Sequence, residues 1–566
     1  MQSKFHNATV YHIFENVKQN LSEKEGAIPP RPNKFGSRSP YPNHMTPTEA
    51  KNYLSNYYNL PFREYQEEAI EFILKSEKRF VFLEAPTGSG KSLIGIVSGI
   101  AKGGVTYSVH SKILQTQIIQ NFPEAYSLFG RSNYPCLLNP NLSCDECSHT
   151  KHTPCEEKSK CVYDGEKRKV VNANLRILNY DLLLSECNYV GKFSGSKFNI
   201  VDEADNLEGT LIDFSALTFT SYALGRLGLT SYIESLKKTS KNSDLLLSSW
   251  VGFAKTAAAR ALSIVEKLSS IIDTFSSPFS ADQIKMIKER TRIKRLLIKI
   301  NLFVRNVDKT WLLDFSDSKW TFRPLWLTLE LAEEFIWKHA QQWVLMSASF
   351  LPLYLECKRL GIPIDETDYK CLASTFRVDR RPIYILPVAN LTAKTMDEET
   401  PKLVACIKEI VDSRPDVKGL IHTVSYRLAN VIMEGVNSPR LITHNGQNRQ
   451  QILDMFMESD QPLVFISPSM DRGVSLGMDL CRFIIVAKAP FLSLGDRIVS
   501  RRVYSSQIGN EWYSSSMLLT VLQMTGRAMR SADDFCESWI LDAQFKRVYE
   551  KKPMSLALWW REAVSW

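Results

Sequence analysis

The chain has 566 residues, of which 44% are hydrophobic and 23% charged, and a net charge of +9. Single cores seldom grow past about 250–300 residues, so three or four domains are expected. A positive excess of this size fits a nucleic-acid partner without requiring one. No stretch approaches the roughly 20 apolar residues of a membrane helix, and the first residues lack the apolar core of a secretory signal. The chain therefore reads as intracellular, and its eleven cysteines as thiols or metal ligands.

In chain order, residues 1–48 read as a flexible N-terminal segment, of which 20–48 is rich in Pro, Ser, Gly and charge. A helical pattern runs from Ala50 to Leu74, and the apolar run Arg79–Leu83 reads as a strand, followed by A-P-T-G-S-G-K-S and a helix. Further strands are expected at Val105–Val109, 198–201 and 343–346, whereas 210–335 reads as long helices with little strand. After residue 370, GLIHTV, RLITHN, LVFISP, FIIVA and SWILDA alternate with helical stretches. Alternation of this kind predicts two parallel sheets flanked by helices, with a helical insertion between them.

Ala85-Pro86-Thr87-Gly88-Ser89-Gly90-Lys91-Ser92 stands between a strand and a helix, the setting of a phosphate loop. Gly88 and Gly90 let backbone amides turn toward a β-phosphate, and the helix N-terminus adds positive potential. Lys91 would reach the β- and γ-phosphates and the Ser92 hydroxyl would ligate Mg²⁺. Ala85 occupies the place where the strict pattern has glycine.

The run 198–201 delivers Asp202-Glu203-Ala204-Asp205 to the C-terminal end of a buried strand, the edge at which nucleotides bind. Asp202 is the expected Mg²⁺ anchor and Glu203 the base that orients the attacking water. In Gln523-Met524-Thr525-Gly526-Arg527-Ala528-Met529-Arg530, the two arginines can share one helix face. Across a cleft they could meet the γ-phosphate, where an arginine finger is worth about 10³–10⁵ in rate, with Gln523 bridging water and phosphate.

Together these segments resemble superfamily 2 helicases, and within them the iron–sulfur group containing XPD and DinG. The likeness covers most of the chain in family order. FREYQ (62–66) resembles the adenine-reading Q-motif, with Arg63 and Gln66 as contacts, and VHSKILQTQ (109–117) resembles motif Ia. Ser347-Ala348-Ser349 is similar to motif III, GLIHTVSY (419–426) to motif IV, SMDRGVSLGMDL (469–480) to motif V and 523–530 to motif VI. The chain departs from the pattern in carrying D-E-A-D for D-E-A-H, Ser349 for Thr, and Ser475 for an acidic residue.

Cys136, Cys144, Cys147, Cys155 and Cys161 cluster between the phosphate loop and the acidic tetrad. Four thiolates suffice for a 4Fe–4S cluster, but C-x₂-C at 144–147, with His149 and His152 nearby, would serve zinc equally well by spacing. The flanks GRSNYPC and CVYDGEKRKVVNANLRILNYDLLL resemble the XPD/DinG cluster segment. The resemblance therefore implies a structural iron–sulfur site at Cys136, Cys147, Cys155 and Cys161, with Cys144 the alternative to Cys147.

In 284–300, Lys285, Lys288, Arg292, Arg295 and Lys299 recur at spacings of three and four beside Met286, Ile293, Leu297 and Ile300. That pattern predicts an amphipathic helix with a cationic stripe, a candidate phosphate track. Tyr134, Tyr163 and Trp320 are candidate base-stacking aromatics. The resemblance implies two RecA-like P-loop domains, the first at 49–129, 166–209 and 336–352 and the second at 370–566. A cluster lobe (130–165) and an Arch-like helical domain (210–335) are inserted into the first. It further implies ATP, Mg²⁺, and single-stranded DNA at a duplex fork, with 5′–3′ unwinding. An ATP-gated clamp that never separates strands, or an RNA helicase, remains open from the residues alone.

Overall fold

Among the described residues, the apolar runs of the sequence form two separate seven-stranded sheets. The computed structural model describes residues 49, 65–122, 124–138, 142–146, 157–239, 243–275, 280–316, 319–468, 476–529 and 533–565. Arg63, Cys147, Cys155, Ser475, Arg530 and the 1–48 segment lie outside the described residues.

The first lobe begins with β1 (Phe80–Glu84), β2 (Val105–Val109), β3 (Tyr126–Ser127), β4 (Leu175–Asn179) and β5 (Ser196–Asp202). The insertion contributes β6 (Leu217–Thr220), β7 (Trp311–Ser316) and β8 (Lys319–Pro324), after which β9 (Ala340–Ser347) and β10 (Thr367–Cys371) return to the first lobe. The second lobe is built on β11 (Ile383–Ala389), β12 (Gly419–His422), β13 (Leu441–Thr443), β14 (Val464–Ser467), β15 (Phe483–Val486), β16 (Glu537–Asp542) and β17 (Val564–Ser565). The sheet orders are β10-β1-β9-β5-β2-β4-β3 and β13-β14-β12-β15-β16-β11-β17, and every pairing in both is parallel. β1 and β2 are buried at every position, as strands covered by helices on both faces must be.

Two expectations are corrected. β10 pairs with β1 from Phe80↔Thr367 to Glu84↔Cys371, so the first sheet continues past residue 352, the expected end of the first domain, and into the start of the segment assigned to the second from 370. The insertion is also not almost wholly helical, because β6, β8 and β7 form an antiparallel sheet at its base. Leu217 pairs with Phe322 across a long stretch of chain, a contact no local pattern announces. Between these strands the helices Ser243–Ile272 and Ala281–Asn306 form a hairpin. Ser280 opens the second with a capping box: its hydroxyl accepts from Gln283 N at 3.2 Å, and Gln283 Oε1 accepts from Ser280 N at 2.7 Å.

One apolar core runs from Phe80 and Phe82 on the first sheet through Phe219 and Phe253 to Phe303 and Phe322 of the insertion. The insertion is therefore fused to the first lobe through packing. A smaller cluster of Leu351, Leu355, Trp512 and Leu519 joins the two lobes.

Candidate nucleotide site and cysteine lobe

In the first sheet β9 lies between β1 and β5, which sets three motifs side by side at the C-terminal edge. Glu84 is level with Ser347, and Met346 with Asp202. The phosphate loop leaves β1 with Ala85 N donating to Ser347 O at 2.9 Å. Gly88 and Gly90 have φ of 82° and 80°, the left-handed turn the loop needs. A Cβ on Gly90 would fall 2.2 Å from Gln66 Nε2, so a side chain there would displace the Gln66 amide as well as strain the left-handed backbone. Gln66 itself donates to Ser89 O at 2.7 Å, and its amide braces the loop rather than reaching outward. Lys91 Nζ folds back onto the carbonyls of Ala85 at 3.0 Å and Pro86 at 3.3 Å, bonds a phosphate would replace. Pro86 and Thr87 line a small interlobe cleft with Thr525, Gly526 and Met529 of the second lobe.

Asp202 is buried at the end of β5. Its Oδ2 accepts from Tyr107 OH at 2.7 Å and its Oδ1 from Glu203 N at 3.0 Å. Burial raises the Asp202 carboxyl above its ordinary pKa, against the pull of the Lys91 ammonium. Glu203 sits in the left-handed region, φ 58°, which costs a non-glycine residue about 1 kcal/mol. The conformation is held by Asn206 N donating to Glu203 O at 3.0 Å. Burial, then the charges of Asp202 and Asp205, push the Glu203 carboxyl up to about 7, while Lys91 and Arg527 pull it down.

Asp205 is one of the points at which the lobes touch. Its Oδ1 accepts from Ser347 Oγ at 2.8 Å, and its Oδ2 from Gln523 Nε2 at 3.0 Å. Gln523, expected to bridge water and phosphate, thus holds a carboxylate of the acidic tetrad. Gly526 lies close enough to the phosphate loop that a Cβ there would be 3.9 Å from Thr87 Oγ1. Arg527 follows it, and its carbonyl accepts from Leu476 N of the motif V segment at 3.3 Å. The buried His422 at the end of β12 is kept neutral, its pKa pushed down to about 3 by burial and by Arg527. Tyr107 and His422 carried no separable signal in the sequence, since both lie in apolar strand runs.

Cys136, Cys144 and Cys161 belong to one small lobe, and none of the three is in a disulfide. An antiparallel backbone pairing, with Cys136 N donating to Leu142 O at 2.9 Å and Cys144 N to Tyr134 O at 2.8 Å, brings the first two together. Arg131 Nη2 lies 3.7 Å from Cys144 Sγ, and the same guanidinium covers the Tyr163 ring at 5.5 Å. Tyr134 and Tyr163 pack edge to face at 5.3 Å and are buried, which removes them as stacking surfaces for bases. Trp320 packs against the large first core. Among the described residues no three His, Cys, Asp or Glu side chains converge to hold a metal ion.

The cationic stripe is partly corrected. Arg292 is exposed, Lys288 half-buried, Lys285 pairs with Asp282 at 3.1 Å and Arg295 with Asp145 at 3.3 Å. Lys299 turns inward onto the Phe214 carbonyl and lies 4.2 Å from the Phe214 ring, and burial pushes its pKa down to about 8. Steps of three and four average 3.5 residues, so the row drifts about 20° per heptad around an α-helix and reaches the packed face by its end.

The DEAD/DEAH box helicase family matches residues 63–221, and the helicase C-terminal domain family matches residues 407–563. The ATP-dependent DNA helicase CHL1 of Saccharomyces cerevisiae is 23% identical over 167 residues, 26% of this chain and 19% of that protein. The ATP-dependent DNA helicase YoaA of Escherichia coli is 24% identical over 220 residues, 36% of this chain and 34% of that protein. The chain thus matches a fifth to a third of the length of these curated relatives. Among solved structures, S. tokodaii Xpd4 superposes with a TM-score of 0.53 at 13% identity, covering 89% of this chain and 99% of that one. An XPD helicase structure gives 0.52 at 16% identity, covering 87% and 97%. The two family matches fall in order along the chain, the first within the first lobe and the second within the second. Their arrangement is the XPD fold, two RecA-like lobes with insertions in the first. No described helix is long and apolar enough to cross a membrane.

Proposed function

We propose that this chain is an ATP-dependent DNA helicase that grips single-stranded DNA, hydrolyses ATP between its two RecA-like lobes and separates a duplex fork in the 5′–3′ direction. The observation that carries the reading is that the phosphate loop and the 523–529 segment face each other across one cleft, with Pro86 and Thr87 opposite Thr525, Gly526 and Met529 and Gln523 bonded to Asp205 of the acidic tetrad at 3.0 Å.

In this reading the amides of Gly88–Ser92 cradle the phosphates, and Lys91 exchanges the loop carbonyls for the β- and γ-oxygens. Glu203 accepts the proton of the attacking water as the bond between the β–γ bridging oxygen and the γ-phosphorus breaks. Arg527, with Arg530 beside it in sequence, offsets the charge spreading over the γ-phosphoryl oxygens. A Mg²⁺ held by Ser92 and Asp202 would neutralise charge shared by the β- and γ-phosphates. Arg63 and Gln66 are assigned to the adenine side, with Gln66 acting through its hold on Ser89. Loss of the γ-phosphate removes the anion drawing Arg527 inward, the cleft opens, and alternating grip moves the strand.

The segment 130–165 is proposed to hold a 4Fe–4S cluster through Cys136, Cys155, Cys161 and either Cys147 or Cys144. The chemistry of the donor set supports it: cysteines outside any disulfide on two backbone-paired segments and at the start of the helix Val162–Val171, with a guanidinium against one sulfur. Exposed Arg292 and Arg295, with Lys285 and Lys288, are assigned to the phosphate backbone of the strand.

ATP turnover measured with DNA and RNA strands, and unwinding of a 5′-tailed against a blunt duplex, test the reading. Stimulation by single-stranded DNA with unwinding of the 5′-tailed substrate is the expected result. Turnover stimulated by DNA without unwinding would make the chain a translocating clamp, and stronger stimulation by RNA would move it to RNA substrates.

A further inference from the structure

A buried row of charge connects the acidic tetrad to the second lobe by a route separate from Gln523. Arg502 lies on the helix Arg497–Ser505 of the second lobe and is only 5% exposed. Its guanidinium sits 4.3 Å over the ring of Trp326, at the base of the insertion, and 4.8 Å over that of Trp512, in the second lobe. Arg502 Nε donates to Leu325 O at 2.6 Å and Nη2 to Glu208 Oε1 at 2.8 Å. Glu208 Oε2 lies 3.2 Å from Arg359 Nε. Arg359 Nη1 reaches Glu356 Oε1 at 3.2 Å, and Nη2 donates to Asp205 O at 2.6 Å. Glu208, Glu356 and Arg359 are all buried.

We propose that Arg502, Glu208 and Arg359 form a positioning relay that transmits movement of the second lobe and of the insertion base to the backbone of the D-E-A-D turn, and so to Glu203. The inference rests on the function proposed above. Glu203 holds a left-handed backbone that its neighbours must enforce, and Asn206 N, which closes that turn, is one residue from the carbonyl Arg359 grips. Desolvated ion pairs tolerate little change in geometry, because an unpaired buried charge is far costlier than an exposed one. A shift of Arg502 is therefore passed to Glu208 and Arg359 rather than absorbed. The two tryptophan faces belong to parts of the molecule that must move relative to each other in a motor, and the planar guanidinium is what both can stack on. None of the three residues touches substrate in this arrangement, so their role is to position.

The test compares the full-length chain with Arg502→Lys, which keeps the cation but loses the planar fork, and with Arg501→Lys on the exposed side of the same helix. In Arg502→Lys the DNA-stimulated kcat should fall about tenfold, with the KM for ATP within about twofold and DNA-independent turnover unchanged. Backbone amides of 203–207 should exchange with solvent about tenfold faster, while those of β1 and β5 keep wild-type protection. Arg501→Lys should match wild type throughout. Unchanged exchange at 203–207, or faster exchange spread evenly through both lobes, would overturn the relay, since Arg502 would then be inert or only a fold-holding residue. Absence of ATP turnover in the wild-type chain would instead remove the proposed function, and the exchange comparison would still decide whether Arg502 is coupled to the turn.

Discussion

Gln523 Nε2 on the last long helix lies 3.0 Å from Asp205 Oδ2 at the end of the acidic tetrad. One hydrogen bond thus joins the two lobes at a residue three positions from Asp202. If that contact is part of lobe closure, Gln523→Ala and Asp205→Ala should each lower thermal stability and be non-additive. The coupling energy expected from a double-mutant cycle is about 1 kcal/mol, read from thermal unfolding. Strict additivity would mean that the bond is not kept in solution.

Lys91→Ala should abolish ATP turnover and leave strand binding largely intact, because the proposed role of Lys91 is to hold phosphate and not the strand. Arg527→Ala should lower kcat by about 10³ with a smaller change in KM, the signature of a group needed mainly in the transition state. Normal turnover in either variant removes that residue from the site.

The Glu203 carboxyl, pushed up to about 7 by burial and by its acidic neighbours, predicts a pH profile. A base must be ionised to accept a proton, so kcat/KM for ATP should rise as pH increases through about 7 and level off above it. The stability sign is opposite: the folded carboxyl binds its proton more tightly than the unfolded chain, so burial strain is relieved as pH falls from 7 toward the ordinary glutamate value. Glu203→Gln should flatten both dependences. A rising limb that survives in Glu203→Gln assigns it to another group.

Anaerobic purification should yield a brown protein containing iron and sulfide. Cys136→Ser or Cys161→Ser should bleach it and impair unwinding more than ATP hydrolysis. Comparing Cys144→Ser with Cys147→Ser identifies the remaining ligand, as only one should lose colour. A colourless wild type with stoichiometric zinc would replace the cluster assignment.

Arg292→Ala should weaken strand binding and lower the slope of log affinity against log salt by about 1, as removal of one phosphate contact does. Lys299→Met should leave that slope unchanged, because its ammonium is already committed to Phe214. Equal salt effects in the two variants would restore the continuous stripe.

What the sequence determined by itself was local. Gly88, Gly90, Lys91 and Ser92 are legible because a phosphate loop is a contiguous turn whose backbone demands those residue types, and Asp202-Glu203 because a buried strand delivers them. The apolar runs likewise announced most strands of both sheets. Tertiary structure decided what depends on distant partners. It assigned β10 to the first sheet, paired Leu217 with Phe322, turned Lys299 inward and placed Gln523 on Asp205. Arg359 and Arg502 show why: each is an ordinary cation in its own helix, and only burial beside Glu208, far away in the chain, makes its charge matter. Motifs record chemistry that one short segment can carry, whereas burial and charge pairing are properties of surfaces brought together from separate segments.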